Sequence, residues 1–292
     1  MADPRTTVAI IGSGTIGTDL MCKVIETKEF DLAFIVGRDA KSRGLAIAKE
    51  RGIDTSADGI DFMKTHADAY DIVFDATSAY AHMQHNAFFS AAGKFAVDLT
   101  PARLGAICVP SINLDDVRGA QNINLITCGG QASLPLVHAL KNTTHRIDYI
   151  EVVSTIAAAS AGLATRENIN QYLLTTEHAL SKFSGASDVK AILNINPAEP
   201  GVAMQTTLYA YADFDDFDAI RQAIEQAAES VRDYVPGFEI VLAPVLDAGR
   251  ITVSVTVRGS GHYLPKYAGN LDIINCAAIE VAKRRHSHLA RA

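Results

Sequence analysis

Gly12-Ser13-Gly14-Thr15-Ile16-Gly17 directly follows the apolar run Val8-Ala9-Ile10-Ile11 and opens a segment with helical spacing. Glycines at this spacing, between a buried strand and a helix, leave few folds open. Gly12 allows a tight turn, Gly14 lets a phosphate approach the backbone, and Gly17 lets the helix pack close against the strand. The unpaired N–H groups at the helix start then face the anion. This context predicts a dinucleotide-binding βαβ unit, the plainer alternative being a glycine turn without a nucleotide.

The first half repeats that alternation. Strands are read at Leu32–Val36, Asp71–Asp75, Phe95–Leu99 and Leu125–Thr127, with helices from Thr15 to about Lys28 and from Lys41 to Arg51. Alternating strands and helices imply right-handed crossovers and a parallel sheet. From Tyr149 onward the strands are longer: Tyr149–Ile156, Val189–Asn194, Gln205–Tyr211, Phe238–Ala243 and Arg250–Val257. Helices from about Glu167 to Phe183 and from Phe217 to Tyr234 lie among them. That texture predicts a mixed or antiparallel sheet with one face free to pack on another surface. The helix from Leu271 to about Arg284 is expected to return to the first domain. The predicted class is α/β, an N-terminal Rossmann-type parallel sheet with a second α+β substrate-binding and dimerisation domain. The expected division is 1–128, joined by the C-terminal helix 270–292, and 129–269.

A net charge of -7 and the lack of any basic run interleaved with aromatics argue against nucleic acid as a partner. The basic cluster Lys283-Arg284-Arg285 reads as a solvated last helical turn that suits the helix dipole. No stretch approaches the ~20 apolar residues of a membrane span, and Met1–Arg5 leads straight into a strand without an apolar leader. Cys22, Cys108, Cys128 and Cys276 are too few and too scattered for a disulfide scaffold. No C-x-x-C or H-E-x-x-H motif suggests a metal. The chain is expected in the cytoplasm, with no membrane, nucleic acid or metal partner.

The second strand ends Val36-Gly37-Arg38-Asp39. Asp39, about twenty residues past the glycines, suits the ribose hydroxyls of NAD, whereas Arg38, with Arg43 nearby, keeps NADP open.

Cys128 stands in Leu125-Ile126-Thr127-Cys128-Gly129-Gly130-Gln131, after an apolar run and before a helix expected from about Ala132. A thiol at a helix N-terminus is expected to ionise more readily. Free cysteines are also commonly small buried hydrophobes, the reading given to Cys22, Cys108 and Cys276. Position alone leaves Cys128 open between the two.

Several blocks, in order along nearly the whole chain, resemble one family. They are Gly12–Met21, Phe74-Asp75-Ala76-Thr77-Ser78-Ala79, Asp98-Leu99-Thr100-Pro101-Ala102, Cys108-Val109-Pro110, Thr127–Ala132, Ser160-Ala161-Gly162, Asn196-Pro197-Ala198-Glu199-Pro200 and His262–Ile273. This pattern is similar to that of the acylating acetaldehyde dehydrogenases of aromatic and sterol catabolism. The resemblance implies the reaction aldehyde + NAD⁺ + coenzyme A → acyl-CoA + NADH, with acetaldehyde or propanal as substrate. It implies that Cys128 carries the acyl group, with the oxyanion on backbone N–H groups of the Cys128–Gly130 turn. Nucleotide contacts map onto Ser13, Gly14, Thr15 and Ile16 and onto the loop from Ser160 through Ala161 and Gly162 to Arg166. Asn270 maps onto a contact to the nicotinamide amide or the substrate oxygen, or onto a helix N-cap. A 4-hydroxy-2-oxoacid aldolase partner and a homodimer within a hetero-oligomer are implied as well.

One position departs from the pattern. Thr206, in Gln205-Thr206-Thr207, stands where the family carries an aspartate proposed to activate the thiol. No general base is therefore assigned. The alternatives are a phosphorylating semialdehyde dehydrogenase-type enzyme, for which no histidine and arginine set is placed near Cys128, and a non-catalytic NAD(H)-binding redox sensor. His138 is read as packing in the helix after Cys128.

Overall fold

The computed structural model describes residues 5–289; residues 1–4 and 290–292, the outer ends of the expected spans 1–128 and 270–292, lie outside the described residues. The first half runs β1 (Thr6–Ile11), α1 (Thr15–Glu26), β2 (Phe30–Val36), α2 (Arg43–Glu50), β3 (Asp54–Ser56), α3 (Ile60–Thr65), β4 (Ile72–Asp75), α4 (Ala79–Ala91), β5 (Phe95–Asp98), β6 (Ala106–Ile107), α5 (Pro110–Asn113), β7 (Asn122–Asn124) and α6 (Cys128–Asn142). Its strands form a seven-stranded sheet in the order β3-β2-β1-β4-β5-β7-β6, parallel throughout. The order reverses between β1 and β4, and ligands of such sheets bind in the crevice beyond the strand ends at that point. The glycine loop leaves β1 there. Gly12 has φ +114°, and a Cβ on it would lie 2.4 Å from the Ala76 carbonyl oxygen; one on Gly17 would lie 1.8 Å from the Gly12 carbonyl oxygen. Side chains are thus excluded where the β1 and β4 exits meet.

The second half runs β8 (Arg146–Ala157), α7 (Leu163–Glu167), α8 (Ile169–Ser184), β9 (Asp188–Asn196), β10 (Met204–Asp213), α9 (Phe217–Arg232), β11 (Phe238–Asp247), β12 (Arg250–Val257) and α10 (Gly269–Leu289). Its five strands lie in the order β11-β12-β10-β8-β9, antiparallel except for the β8–β9 pair, so the sheet is mixed. Alternation sorts its faces: Ile150, Val152 and Ile156 of β8 and Met204, Leu208 and Ala210 of β10 are buried in one core with residues of α6, α8 and α9. On β11, Val241, Leu242, Val245 and Leu246 remain exposed.

α10 returns to the parallel sheet as expected, burying Ile274, Ala277, Ala278 and Val281 in the N-terminal core. It is tied to α1 by the buried Lys23–Asp272 pair at 2.5 Å and by the Asn275 amide donating to Asp19 at 2.8 Å. The basic cluster differs from expectation. The helix continues past it, Lys283 and Arg284 lie 3.8 and 3.6 Å from Glu29 and Asp115, and Arg285 covers the Phe95 ring.

Candidate active site

Two expectations around Cys128 are corrected by the structure. Leu125–Thr127 is not a strand: β7 covers Asn122–Asn124 and stops there. The Asn124 amide donates to Asp98 Oδ2 at 2.7 Å and to the Thr100 carbonyl at 2.9 Å, while its Oδ1 accepts the Ile126 N–H at 3.0 Å. These bonds turn the chain, and Ile126 takes a φ of +69°, a rare conformation for a β-branched residue and a local store of strain. The helix then begins at Cys128 rather than near Ala132, with Thr127 as N-cap accepting the Gly130 N–H at 2.9 Å. Gly129 and Gly130 lie inside the helix, where they serve close packing. A Cβ on Gly129 would sit 2.3 Å from Tyr172 Oη and 2.7 Å from Ser154 Oγ, and one on Gly130 would sit 2.8 Å from Ile126 Cγ2.

The half-buried thiol opens onto a cleft shared by Ile16, Thr77, Thr100, Ile126, Tyr172 and Asn270. Tyr172, on α8, brings its Oη to 3.7 Å from Cys128 Sγ. The atoms crowded around the sulfur decide its titration. Burial pushes the thiol above its ordinary range, and Tyr172 and the nearby Gly129 and Cys128 N–H dipoles offset this in part. The expected ease of ionisation at a helix start is thus opposed by desolvation. The expected oxyanion donors are also partly engaged, since Gly129 N–H donates to Tyr172 Oη and Gly130 N–H to Thr127 Oγ1. The Cys128 N–H, first in the helix, is the remaining donor of that turn.

The glycine loop borders the same cleft through Ile16. At the start of α1 no side chain caps the helix and no acid stands in its first turn. A Cβ on Gly14 would meet nothing within 4 Å, so the backbone at the start of α1 lies open there, while the Gly12 N–H is taken up by the Val36 carbonyl at 2.8 Å. Gly162 lies against Thr15, its imagined Cβ 2.9 Å from Thr15 Oγ1. Ala161 is buried, and the Ser160 hydroxyl turns back to the Ala157 carbonyl while its own carbonyl accepts from Asn270 at 3.4 Å. Arg166 fastens this loop by donating to the Ala158 and Ala161 carbonyls. Asn270 is second in α10, and its buried Oδ1 has no hydrogen-bond partner, so it is not an N-cap. Asn270 is one of the residues that line the Cys128 cleft.

Other residues singled out in the sequence lie outside the cleft. Asp39 is exposed beyond β2, its carboxylate accepting the Lys41 N–H at 2.8 Å. His138 is in α6 with Nδ1 unpartnered, its pKa lowered by burial and by Lys141. Thr206 is buried behind Ser154. Tyr172 and Ser154 had no part in the sequence reading. The available signal was weak, a helix face where Tyr172, Thr175 and Thr176 are buried despite their hydroxyls.

Beneath the loops that line the cleft lies a buried polar cluster. Asp75 Oδ2 accepts from His82 Nδ1 at 2.9 Å and His85 Nδ1 at 2.8 Å, and Oδ1 accepts the Thr77 N–H at 3.1 Å. His82 Nε2 lies 3.4 Å from Asp98 Oδ2. Burial pushes the Asp98 carboxyl up to about 6, with His82 pulling it down and Asp75 pushing it further up. A carboxyl raised in the folded state is held more tightly as the acid there, so its contribution to stability is present below the unfolded value near 4 and is lost as pH rises through the folded value near 6. Thermal melts between about pH 4 and pH 6 should therefore show the wild type losing stability relative to Asp98→Asn. Parallel profiles for the two proteins would contradict the assignment.

These features define a class: a Rossmann-type α/β protein with a second mixed sheet and a cysteine at a helix start, in a cleft beside the glycine loop. The family profile described as "Semialdehyde dehydrogenase, NAD binding domain" matches residues 7–120, and that described as "Prokaryotic acetaldehyde dehydrogenase, dimerisation" matches residues 128–265. An acetaldehyde dehydrogenase of Burkholderia pseudomallei is 64% identical over 283 residues, covering 97% of this chain and 95% of the relative. Those of Pectobacterium atrosepticum and Geobacillus stearothermophilus are each 46% identical, over 96% and 97% of this chain and 95% and 97% of their own lengths. Aspartate semialdehyde dehydrogenase II of Vibrio cholerae superposes with a TM-score of 0.67 at 12% identity, over 96% of this chain and 98% of that one, a likeness of fold. The chain belongs to the acetaldehyde dehydrogenase family, as the sequence resemblance implied, and is an NAD-dependent oxidoreductase carrying that family's dimerisation domain. Among the described residues, no helix is long and apolar enough to cross a membrane.

Proposed function

We propose that this enzyme converts a short aldehyde, acetaldehyde or propanal, to its acyl-CoA through a thioester on Cys128, using coenzyme A and NAD. One observation carries the reading: Cys128 and Asn270 line one cleft with Ile16 of the glycine loop. The Cys128 thiolate attacks the aldehyde carbon and forms a thiohemiacetal. The Cys128 N–H, at the positive end of α6, stabilises the oxyanion. NAD, when bound, supplies the hydride acceptor. Gly12, Ser13, Gly14 and Thr15 would hold its pyrophosphate, the Ser160–Gly162 loop would flank it, and Asn270 would orient the carboxamide. Asp39 favours the ribose of NAD, and the exposed Arg38 beside it is what would admit NADP. Coenzyme A then takes the acyl group from sulfur. No histidine or arginine lines the cleft among the described residues, which weighs against acyl-phosphate chemistry.

The division we propose is 1–128 with 270–292 against 129–269, with the homodimer formed through the second sheet. The exposed apolar face of β11 supports that role. A 4-hydroxy-2-oxoacid aldolase is the proposed source of aldehyde in aromatic or sterol breakdown. The four free cysteines suit the reducing cytoplasm as its compartment.

The test is absorbance at the NADH band with acetaldehyde and NAD⁺, with and without coenzyme A. Strictly coenzyme-A-dependent NADH formation is the expected result. Turnover supported by inorganic phosphate instead would move the assignment to the phosphorylating reaction, and NAD binding without turnover would move it to a sensor.

A further inference from the structure

Thr206 of β10 pairs in register with Ser154 of β8, on the sheet face that meets the helices. Their hydroxyl oxygens are 3.0 Å apart. Ser154 Oγ and Tyr172 Oη are neighbours, 2.7 and 2.3 Å from the point a Cβ on Gly129 would occupy, and Tyr172 Oη lies 3.7 Å from Cys128 Sγ. These hydroxyl groups form a buried string running from the second sheet to the sulfur, with Thr206 1%, Ser154 1% and Tyr172 7% exposed.

The direction of the string follows from its two ends. Tyr172 Oη has one proton and two lone pairs. One lone pair accepts the Gly129 N–H at 3.0 Å, a donor fixed by the helix backbone. At the far end, the Thr206 hydroxyl has Ser154 as its side-chain partner among the described residues. Were Ser154 to donate to Thr206, the Thr206 proton would be buried with no acceptor, a costly arrangement. Thr206 therefore donates to Ser154, Ser154 fills the second lone pair of Tyr172, and the phenolic proton turns toward the sulfur. Aligned hydroxyls polarise one another, and a hydrogen bond to a charged acceptor is stronger than one to a neutral acceptor.

We propose that Tyr172, backed by Ser154 and Thr206, is a positioning residue whose hydroxyl donates to Cys128 and stabilises its thiolate. This rests on the reading of Cys128 as the nucleophile. The string removes no proton: on ionisation the S–H bond breaks, the electron pair stays on sulfur and the proton passes through the cleft to water. Thr206 suits this arrangement because it donates.

The experiment is the pH dependence of Cys128 alkylation by iodoacetamide, located by peptide mass, in the full chain and in Tyr172→Phe, Ser154→Ala and Thr206→Val. The expected result is a midpoint raised by about one pH unit in Tyr172→Phe, roughly ten-fold slower alkylation below the midpoint, with smaller rises for Ser154→Ala and then Thr206→Val. A midpoint in Tyr172→Phe equal to or below that of the wild type overturns the proposal. If thermal melts show that Tyr172→Phe does not fold, Ser154→Ala decides by the same criterion. Lost packing alone would slow alkylation equally at every pH and leave the midpoint in place, which also overturns it. The nucleophile reading fails separately, if Cys128→Ser retains coenzyme-A-dependent NADH formation.

Discussion

Cys128→Ser is expected to reduce coenzyme-A-dependent NADH formation by about 10⁴-fold or more. The substitution is nearly isosteric, and the thiol makes few contacts that an alcohol could not, so folding and NAD binding should persist. What changes is ionisation. A serine hydroxyl titrates far above a thiol, and no histidine or carboxylate lines the cleft among the described residues to take its proton. Tyr172, held well above its ordinary pKa by burial and by Cys128, is a donor and not a base. Thermal melts and NAD titration of the variant would separate chemistry from folding. Activity within ten-fold of the wild type, with binding intact, would place the nucleophile elsewhere.

Asp75→Ala is expected to destabilise the protein by about 3–5 kcal/mol, the usual loss when one partner of a buried charged network is removed. Asp75, His82 and Asp98 are each 0% exposed, and His85 is 8% exposed. Hydrogen bonds from His82 and His85 overcome the burial of Asp75 and hold its carboxyl well below the ordinary range. Without Asp75 both imidazoles lose their acceptor. The Asp98 carboxylate is relieved of a neighbouring charge, which reduces the loss without cancelling it. The Thr77 N–H also loses its acceptor, so the loop at the cleft wall loosens and NAD affinity should fall. Urea unfolding measures the first effect and NAD titration the second; a midpoint indistinguishable from the wild type would show that the cluster is not cohesive.

The first half of the fold was legible because its signals are local. The glycine loop needs Gly12 and Gly17 where backbone carbonyls lie within 2.4 Å of any Cβ, and that need is written into the chain next to β1. Apolar runs flanked by helical spacing gave β4 and β5 to within a residue, while β1 and β2 each begin two residues earlier, at Thr6 and Phe30. β7 and the start of α6 were displaced. The apolar character of Leu125 and Ile126 reflects burial in a turn, and the helix expected from about Ala132 starts at Cys128 and takes in Gly129 and Gly130. Both are small because Tyr172, Ser154 and Ile126 press on them, contacts that come partly from other elements.

By itself the sequence determined the parallel nucleotide-binding sheet, the thiol at a helix start and the family, since each is carried by residues close together or by motifs in order. Only the tertiary structure decided what surrounds that thiol. Sheet register and helix packing bring Tyr172 on α8 to Cys128, with Ser154 on β8 and Thr206 on β10 behind it, and Asp39 and His138 are left outside the cleft. The physical reason is that the charge state of a buried group depends on every dipole and low-polarity atom around it, and residues distant in sequence supply most of them.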